Sequence, residues 1–385
     1  MRIEQVQATP IDGDRIEVSA VCDGEPLYYR LPATRLLHQA IGDALVLSVL
    51  APAMRAGTPL RLPDDVPVSS RLAAELDGIQ RVYMSWNAGL KRIRLEAPLY
   101  EPEPASGPVG LFYAGGVDSS FSLLSHFDEV ELMIIAFGFD HTMSEAEVAA
   151  SLERNGRFVE RLGKKMIAVE TNHSRFVSNL GVSRNFVFGA TLASIALLLG
   201  LRRGYIASSH SASNVMPDGS NPVLDGRFSN GVTEIIHDDV SVGRLDKTRA
   251  VARRPDLLDN LRVCWELPNE NCGACPKCVR TMTALRLCGA TGPFPPLDDL
   301  RRIGDMAARS EVEYIVSMLM AARAAGDRAV ERELRRGLRR HDWREALRYL
   351  DRALFGGALR GARRRRSDPE IGLIKIELRP DLDLP

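Results

Sequence analysis

The chain carries no net charge: 50 lysines and arginines balance 50 aspartates and glutamates over 385 residues. No global field therefore draws it to nucleic acid or to an anionic lipid surface. Long apolar runs are also missing. The longest, Ala190 to Leu201, is too short to span a bilayer and reads as a buried helix. Met1-Arg2-Ile3-Glu4-Gln5 has no apolar signal core, so the expected location is the cytoplasm. Aromatic residues are only 6% of the chain. None forms a stacking platform beside the basic run Arg363–Arg366, which is expected to be a solvated helix end and not a nucleic-acid contact. Lysine is scarce, at Lys91, Lys164, Lys165, Lys247, Lys277 and Lys375 alone, so arginine supplies most of the positive charge. Repeats at a solenoid period are absent. What remains, 45% hydrophobic and 26% charged, is an ordinary globular composition with room for two or three domains.

Cysteine is sparse as well, but four of the six are bunched as Cys264-x7-Cys272-Gly-Ala-Cys275-Pro-Lys-Cys278. Short Cys-x2-Cys knuckles supply the soft ligands of tetrahedral Zn²⁺, and a cation settles the charge of thiolates so close together. Gly273 frees the knuckle to bend. The same spacing could ligate an iron–sulfur cluster. A disulfide framework fits less well with a cytoplasmic chain. Four protein ligands leave no open position for chemistry, so the expected role is structural. Cys22 and Cys288 fall outside the pattern and read as small buried residues.

Upstream stands Leu111-Phe112-Tyr113-Ala114-Gly115-Gly116-Val117-Asp118-Ser119-Ser120. An apolar strand stops at two glycines and a helix begins. Gly115 and Gly116 remove two Cβ atoms where the backbone turns and approaches a ligand. The unpaired N–H groups and the dipole of the helix N-terminus favour phosphate. Ser119 and Ser120 add hydroxyls, and Asp118 would cap the helix or help hold Mg²⁺. No Gly-Lys-Ser/Thr follows, so the turn is not a Walker loop.

The segment resembles the Ser-Gly-Gly-x-Asp-Ser signature of the PP-loop ATP pyrophosphatases. That resemblance implies cleavage of ATP between the α- and β-phosphates, with adenylation of a substrate oxygen. The family's first serine is Ala114 here, and the hydroxyl of Tyr113 is a candidate to replace it. The cysteine cluster narrows the likeness to the 7-cyano-7-deazaguanine synthases, which carry Cys, a short loop, then Cys-Gly-x-Cys-x-x-Cys. Val182-Ser183-Arg184-Asn185-Phe186-Val187-Phe188 is similar to that family's Arg-Asn segment, and Leu245-Asp246-Lys247-Thr248 to its lysine-bearing segment. The likeness covers roughly residues 108–290. The family's Tyr-Pro-Asp substrate segment has no counterpart. In its place stand Ser208-Ser209-His210 and Pro217-Asp218-Gly219-Ser220-Asn221-Pro222-Val223-Leu224-Asp225.

Along the chain, Arg15–Val21 and Leu27–Leu31 predict strands, 34–54 a helix or a buried strand, and Ile93–Leu99 a strand. Glu101–Pro108 reads as a proline-rich linker. Strand and helix patterns then alternate: Val109–Tyr113, Ser119–Phe127, Val130–Phe137, a helix from Ser144 to about Leu162, Met166–Val169, Asn185–Leu201 and Tyr205–Ala207. This order implies a parallel, doubly wound α/β sheet, and the resemblance implies the PP-loop type. Expected domains are a β-rich region at 1–100, the linker at 101–108, the nucleotide domain with its four-cysteine zinc site at 109–290, and a helical region at 291–385. The last includes helices over Glu311–Ala324 and Arg328–Tyr349 and a strand over Ile371–Leu378.

Ligands of such sheets sit beyond the carboxyl ends of the strands, which selects Gly115–Ser120, Phe137–Phe139 and Ser208–His210. The expected nucleotide-binding set is Ala114, Gly115, Gly116, Val117, Asp118, Ser119, Ser120, Phe137, Gly138, Arg184, Asn185 and Ser208. Lys247, Asp118 and Arg184 are the expected catalytic residues. Lys247 would contact phosphate as a point charge or lie solvated on a helix. Arg184 would hold a phosphate or carboxylate, or serve the surface. Asn185 reads as a helix cap or a contact, His210 as a substrate contact or structural, and His237-Asp238-Asp239 as a polar turn or an aid to Mg²⁺.

The leading expectation is an ATP-dependent ligase using ATP, Mg²⁺ and Zn²⁺. A carboxylate of a small molecule or a protein would be adenylated and captured by ammonia or another amine, giving an amide or a nitrile. The acceptor is expected to differ from the deazaguanine, with segment 208–225 as a lid. An adenylating sulfur transferase would need Cys22 or Cys288 as a nucleophile. A zinc-stabilised binding module with a decayed loop has Ala114 as its support. No nucleic-acid or membrane partner is expected, and a homodimer is left open.

Overall fold

The computed structural model describes residues 1–104, 106–138, 143–355 and 372–376, in two compact units. Phe139, the Arg363–Arg366 run, and residues 371, 377 and 378 of the expected C-terminal strand lie outside the described residues. The first unit comprises Met1–Ala114 and Ser122–Ser241 with residues 372–376, and the second Gly115–Phe121 with residues 242–355.

The first unit holds the strands β1 (Ile3–Asp12), β2 (Arg15–Cys22), β3 (Glu25–Pro32), β4 (Leu60–Arg61), β5 (Val68–Ser69), β6 (Leu95–Glu96), β7 (Leu99–Tyr100), β8 (Val109–Phe112), β9 (Leu132–Phe137), β10 (Lys165–Thr171), β11 (Arg203–Ala207) and β12 (Glu234–Asp238). Its helices are α1 (Ile41–Ala56), α2 (Ser70–Trp86), the last turn of α3 (Val117–Ser125), α4 (Glu145–Arg161), α5 (His173–Asn179) and α6 (Phe188–Leu198). One mixed sheet runs in the order β1-β2-β3-β10-β9-β8-β11-β12. From β10 to β12 it is parallel, whereas β1 to β3 form an antiparallel meander joined antiparallel to β10 by Arg30↔Glu170 and Tyr29↔Thr171.

Burial explains the strand sequences. β8 is buried along its length and β9 over its first four residues, as a parallel sheet covered on both faces requires. β2 and β3 alternate, with one face packed. The α4 helix starts where Ser144 and Glu147 cap each other reciprocally. α6 is buried from Gly189 to Leu198 and packs on α1, itself buried from Ile41 to Met54.

The first hundred residues, expected as a domain apart, are built into this unit. Their three long strands extend the sheet, and α1 covers part of the same core as β9 and α6. Asp43 on α1 accepts hydrogen bonds from Ser69 N, the Tyr100 hydroxyl and Asn230 Nδ2 at 2.6–2.7 Å. His173 on α5 is fully enclosed, with Nε2 3.1 Å from the Ser48 carbonyl of α1 and Nδ1 2.9 Å from Thr191 Oγ1 of α6. The proline-rich segment is held as well: Arg202 N donates to the Pro108 carbonyl, and a Cβ on Gly107 would lie 1.9 Å from the Gly200 carbonyl oxygen.

Other expectations shift in detail. The 34–54 segment is a helix, and Ile93–Leu99 gives two short strands. Asn185 caps no α-helix, because Arg184–Phe186 is a 3-10 turn and α6 begins only at Phe188, after Val187. Ile374 makes one bridge to Val182.

The second unit contains α7 (Arg244–Ala252), α8 (Pro255–Asp259), α9 (Pro276–Leu287), α10 (Arg301–Ala307), α11 (Val312–Ala324) and α12 (Arg328–Phe355). α9 to α12 share a small core around Val279, Ile303, Met306, Ile315 and Leu334. Among the described residues no helix is long and apolar enough to cross a membrane.

Candidate active site and metal centre

The four cysteines meet in the second unit. Asn271 staples their loop: its Oδ1 accepts from Val263 N, and its Nδ2 donates to the Leu261 and Pro293 carbonyls. Gly273 is left-handed at φ +67, and a Cβ there would lie 3.1 Å from the Pro295 ring. Pro276 opens α9, and Cys275 caps it by accepting from Cys278 N. Further N–H groups point at sulfur, from Glu266 and Leu267 to Cys264 and from Ala274 and Cys275 to Cys272.

All four Sγ atoms lie within 4.8 Å of one another, and Cys264–Cys275 and Cys272–Cys278 are each 4.0 Å apart. A tetrahedron with arms of about 2.3 Å has edges of about 3.8 Å. The cluster therefore fits one tetrahedral ion, whereas thiolates on separate irons of a cluster would be spread wider. Burial pushes the Cys264 thiol up, but hydrogen bonds from the Cys272, Leu267 and Glu266 amides outweigh it and bring Cys264 down to about 7. Burial raises Cys272 and Cys278, so gathering four thiolates here calls for a cation.

The glycine turn belongs to the same unit. Gly115 is left-handed at φ +72, and its carbonyl accepts from Arg262 N at 2.8 Å. The loop that carries Cys264 thus also backs the turn. A Cβ on Gly116 would meet nothing within 4 Å, so the backbone is open to an approaching group. Ser119 Oγ donates back to the Gly116 carbonyl at 3.3 Å, and Ser120 is fully buried. Asp118 lies inside α3 and not at its cap. Its Oδ2 accepts from Arg244 Nη1 at 2.5 Å, while its buried Oδ1 has no hydrogen-bond partner.

Arg244 begins α7, and Lys247 follows one turn later with 1% exposure, its Nζ 5.7 Å from the Phe121 ring. The solvated reading of Lys247 is thereby excluded. Arg280 on α9 stacks over the Tyr314 ring at 5.0 Å. Burial and the charge of Arg244 oppose its protonated form, and Asp118 and Glu311 favour it. Burial pushes the Tyr314 hydroxyl up to about 12.

In the first unit, Phe137, Gly138 and Arg184 line one cavity of about 870 Å³, together with Tyr28, Arg30 and Glu170. Gly138, at φ +89, lets β9 end against the Thr171 carbonyl: a Cβ would lie 1.8 Å from that oxygen. Asn185 is exposed, and its carbonyl closes on Gly219. Ser208 is buried at the end of β11, where its N–H donates to the Asp238 carbonyl and its hydroxyl to the His210 carbonyl. His210 Nε2 lies 3.7 Å from Asp218. Tyr113 is 2% exposed and stacks on Phe158 at 5.4 Å, which places its ring in the core and not as a substitute for the lost serine hydroxyl.

Segment 208–225 is anchored toward its end. Ser220 Oγ and Asn221 N donate to Asp225, Asn221 Nδ2 donates to the Met216 carbonyl, and Gly189 N donates to the Gly219 carbonyl. His237 turns to Asp225 at 2.8 Å, away from Asp238. The imidazole that joins Asp238 and Asp239 is His126, with Nε2 2.8 Å from Asp238 Oδ1 and the three ligand atoms within 4.8 Å.

Comparison with protein-family models, with curated proteins and with solved structures finds no match for this chain. The functional reading therefore stands on residues and geometry. Arg244, Arg280 and His126 were missed from sequence. For Arg280 a signal existed: an arginine two residues past the last knuckle cysteine, beside the apolar Val279.

Proposed function

We propose that the protein is a nucleotide-binding enzyme of the PP-loop type, which cleaves ATP to AMP and pyrophosphate. The observation that carries this reading is the glycine turn: Gly116 open to approach, at the start of α3, in a unit whose Arg244, Lys247 and Arg280 supply positive charge. Oriented donors and fixed cations of this kind stabilise a departing pyrophosphate.

The finer reading is an adenylating ligase. A carboxylate oxygen attacks the α-phosphate, the bond to the β-phosphate oxygen breaks, and an amine then displaces AMP from the acyl-adenylate. Asp118, through its unpartnered Oδ1, is the residue suited to Mg²⁺, which when bound neutralises phosphate charge. Cys264, Cys272, Cys275 and Cys278 are suited to Zn²⁺, which supplies folding free energy. The state of the other thiols favours a ligase over a sulfur transferase. Cys22 is fully buried with its thiol pushed up to about 12, and burial raises Cys288 as well, so neither offers a ready thiolate. The acceptor is proposed to differ from the deazaguanine, because the likeness does not reach the first hundred residues and segment 208–225 departs from the family's substrate segment; Tyr28 and Arg30 of that N-terminal region line the first unit's cavity with Phe137, Gly138 and Arg184.

The test is incubation with ATP, Mg²⁺ and candidate carboxylic acids with and without ammonium, with products read by mass spectrometry. AMP and a dehydrated or amidated acid are expected; ADP as the nucleotide product would overturn the reading.

A further inference from the structure

His126 extends the last turn of α3, its amide donating to the Ser122 carbonyl, and its ring is held on two sides. The Tyr205 ring of β11 stacks on it, with centroids 4.2 Å apart and planes inclined by 18°. Glu129, which accepts from the Tyr205 hydroxyl at 2.8 Å, stands 3.8 Å from Nδ1. Nε2 is left for β12. There Tyr205 pairs with Ile236 and Ala207 with Asp238, so alternation puts the Tyr205 and Asp238 side chains on one face of the sheet. Asp239 follows at a left-handed φ of +59, and its carboxylate joins the same cluster: one imidazole nitrogen and one oxygen of each aspartate lie within 4.8 Å of one another. All of these residues belong to the first unit.

Asp238 carries the argument. Its side chain is only 8% exposed, and Oδ1 meets His126 Nε2 at 2.8 Å, but the buried Oδ2 has no hydrogen-bond partner. A carboxylate oxygen withdrawn from water without a donor is costly, and a cation is the group that relieves it. Two ligand atoms about 2.1 Å from one ion, at right angles, lie about 3 Å apart. The Nε2–Oδ1 pair is already close to that spacing. A carboxylate on the far side of the ring, as Glu129 stands here, is the usual companion of a metal-binding imidazole. One nitrogen among carboxylate oxygens suits Mn²⁺ or its first-row neighbours better than Mg²⁺ or Ca²⁺, which take oxygen shells.

We propose that His126, Asp238 and Asp239 form a binding site for a divalent first-row cation of the Mn²⁺ kind at the carboxyl end of β12, separate from the cysteine cluster and independent of the phosphate-turn reading. That end of a parallel sheet is where ligands gather. Three protein ligands leave positions on the ion for water or an oxygen of an anionic ligand.

The experiment titrates Mn²⁺ into the full-length protein after a chelator wash that clears weakly held ions. Free Mn²⁺ is followed by electron paramagnetic resonance, and the bound ion by spin-echo modulation, which detects a coordinated imidazole nitrogen. Wild type, His126→Gln, Asp238→Asn and Asp239→Asn are compared. Saturable binding with an imidazole coupling is expected in the wild type. H126Q should lose the coupling, and each variant should bind at least about tenfold more weakly. Should D238N fail to fold, H126Q and D239N carry the test, because both of those side chains are partly exposed. No saturable binding by the wild type would overturn the site, as would coupling retained in folded H126Q. A bound ion without imidazole coupling would overturn it too, by placing Mn²⁺ on carboxylates alone, such as Asp118.

Discussion

His173 makes the stability of the first unit depend on pH. Its Nε2 faces the Ser48 carbonyl, which can only accept, so the proton of the neutral ring sits on Nε2 and Nδ1 accepts from Thr191. Burial brings its pKa down to about 4 from the ordinary 6.5, against the opposing pull of the Ser48 carbonyl. Between those values the unfolded chain binds a proton that the folded chain refuses, so stability is complete above pH 6.5 and falls as the pH drops toward 4. A gap of about 2.5 pH units is worth about 3 kcal/mol. Urea unfolding followed by circular dichroism, at intervals from pH 7.5 to 4.5, measures it against His173→Gln. The Gln side chain can still donate to Ser48 and accept from Thr191 but does not titrate. The variant should lose about 1–2 kcal/mol at pH 7.5, and the difference from wild type should shrink or reverse by about 2–3 kcal/mol at pH 4.5. Parallel loss of stability in both proteins would refute the assignment of a neutral buried imidazole.

Three further outcomes are expected. Cys275→Ser should abolish stoichiometric metal binding by elemental analysis and lower the melting temperature by roughly 10 °C or more, because the ligands' metal affinity is folding free energy; a metal-free wild type of equal stability would contradict this. Gly116→Val should fold normally, since its side chain meets open space, yet lose ATP binding by equilibrium dialysis; retained binding would count against the phosphate turn. Gly138→Ala, with φ +89 and a Cβ 1.8 Å from the Thr171 carbonyl oxygen, should cost about 3 kcal/mol or more in chemical denaturation, and a neutral effect would mean that the end of β9 can move.

What could be read from the sequence was local. The β8 turn into α3, the unbroken apolar stretch of β9, the Ser144 cap and the cysteine knuckle all announce themselves within a few residues. What could not be read was long-range. Nothing near Arg30 says that it pairs with Glu170, so a meander that extends the sheet looked like a domain of its own. β12 ends in His237-Asp238, polar residues that read as a turn because the neighbours they meet, His126 and Asp225, come from elsewhere in the chain. Asn185 has the chemistry of a cap, but the chain spends one 3-10 turn before α6 begins. The ion pair behind the glycine turn has the same origin, since Arg244 follows Asp118 by more than a hundred residues.

The antiparallel junction of β3 with β10 has a consequence for birth on the ribosome. β1 to β3 can zip into a meander as soon as they emerge, but the partner of Arg30 lies 140 residues further on. At about 5–20 residues per second, the free edge of β3 waits on the order of ten seconds or more for β10 to arrive. An open strand edge is a template for neighbouring nascent chains. Pro26 and Pro32 stand near its two ends and Arg30 along it, devices that discourage premature pairing between chains until Glu170 emerges.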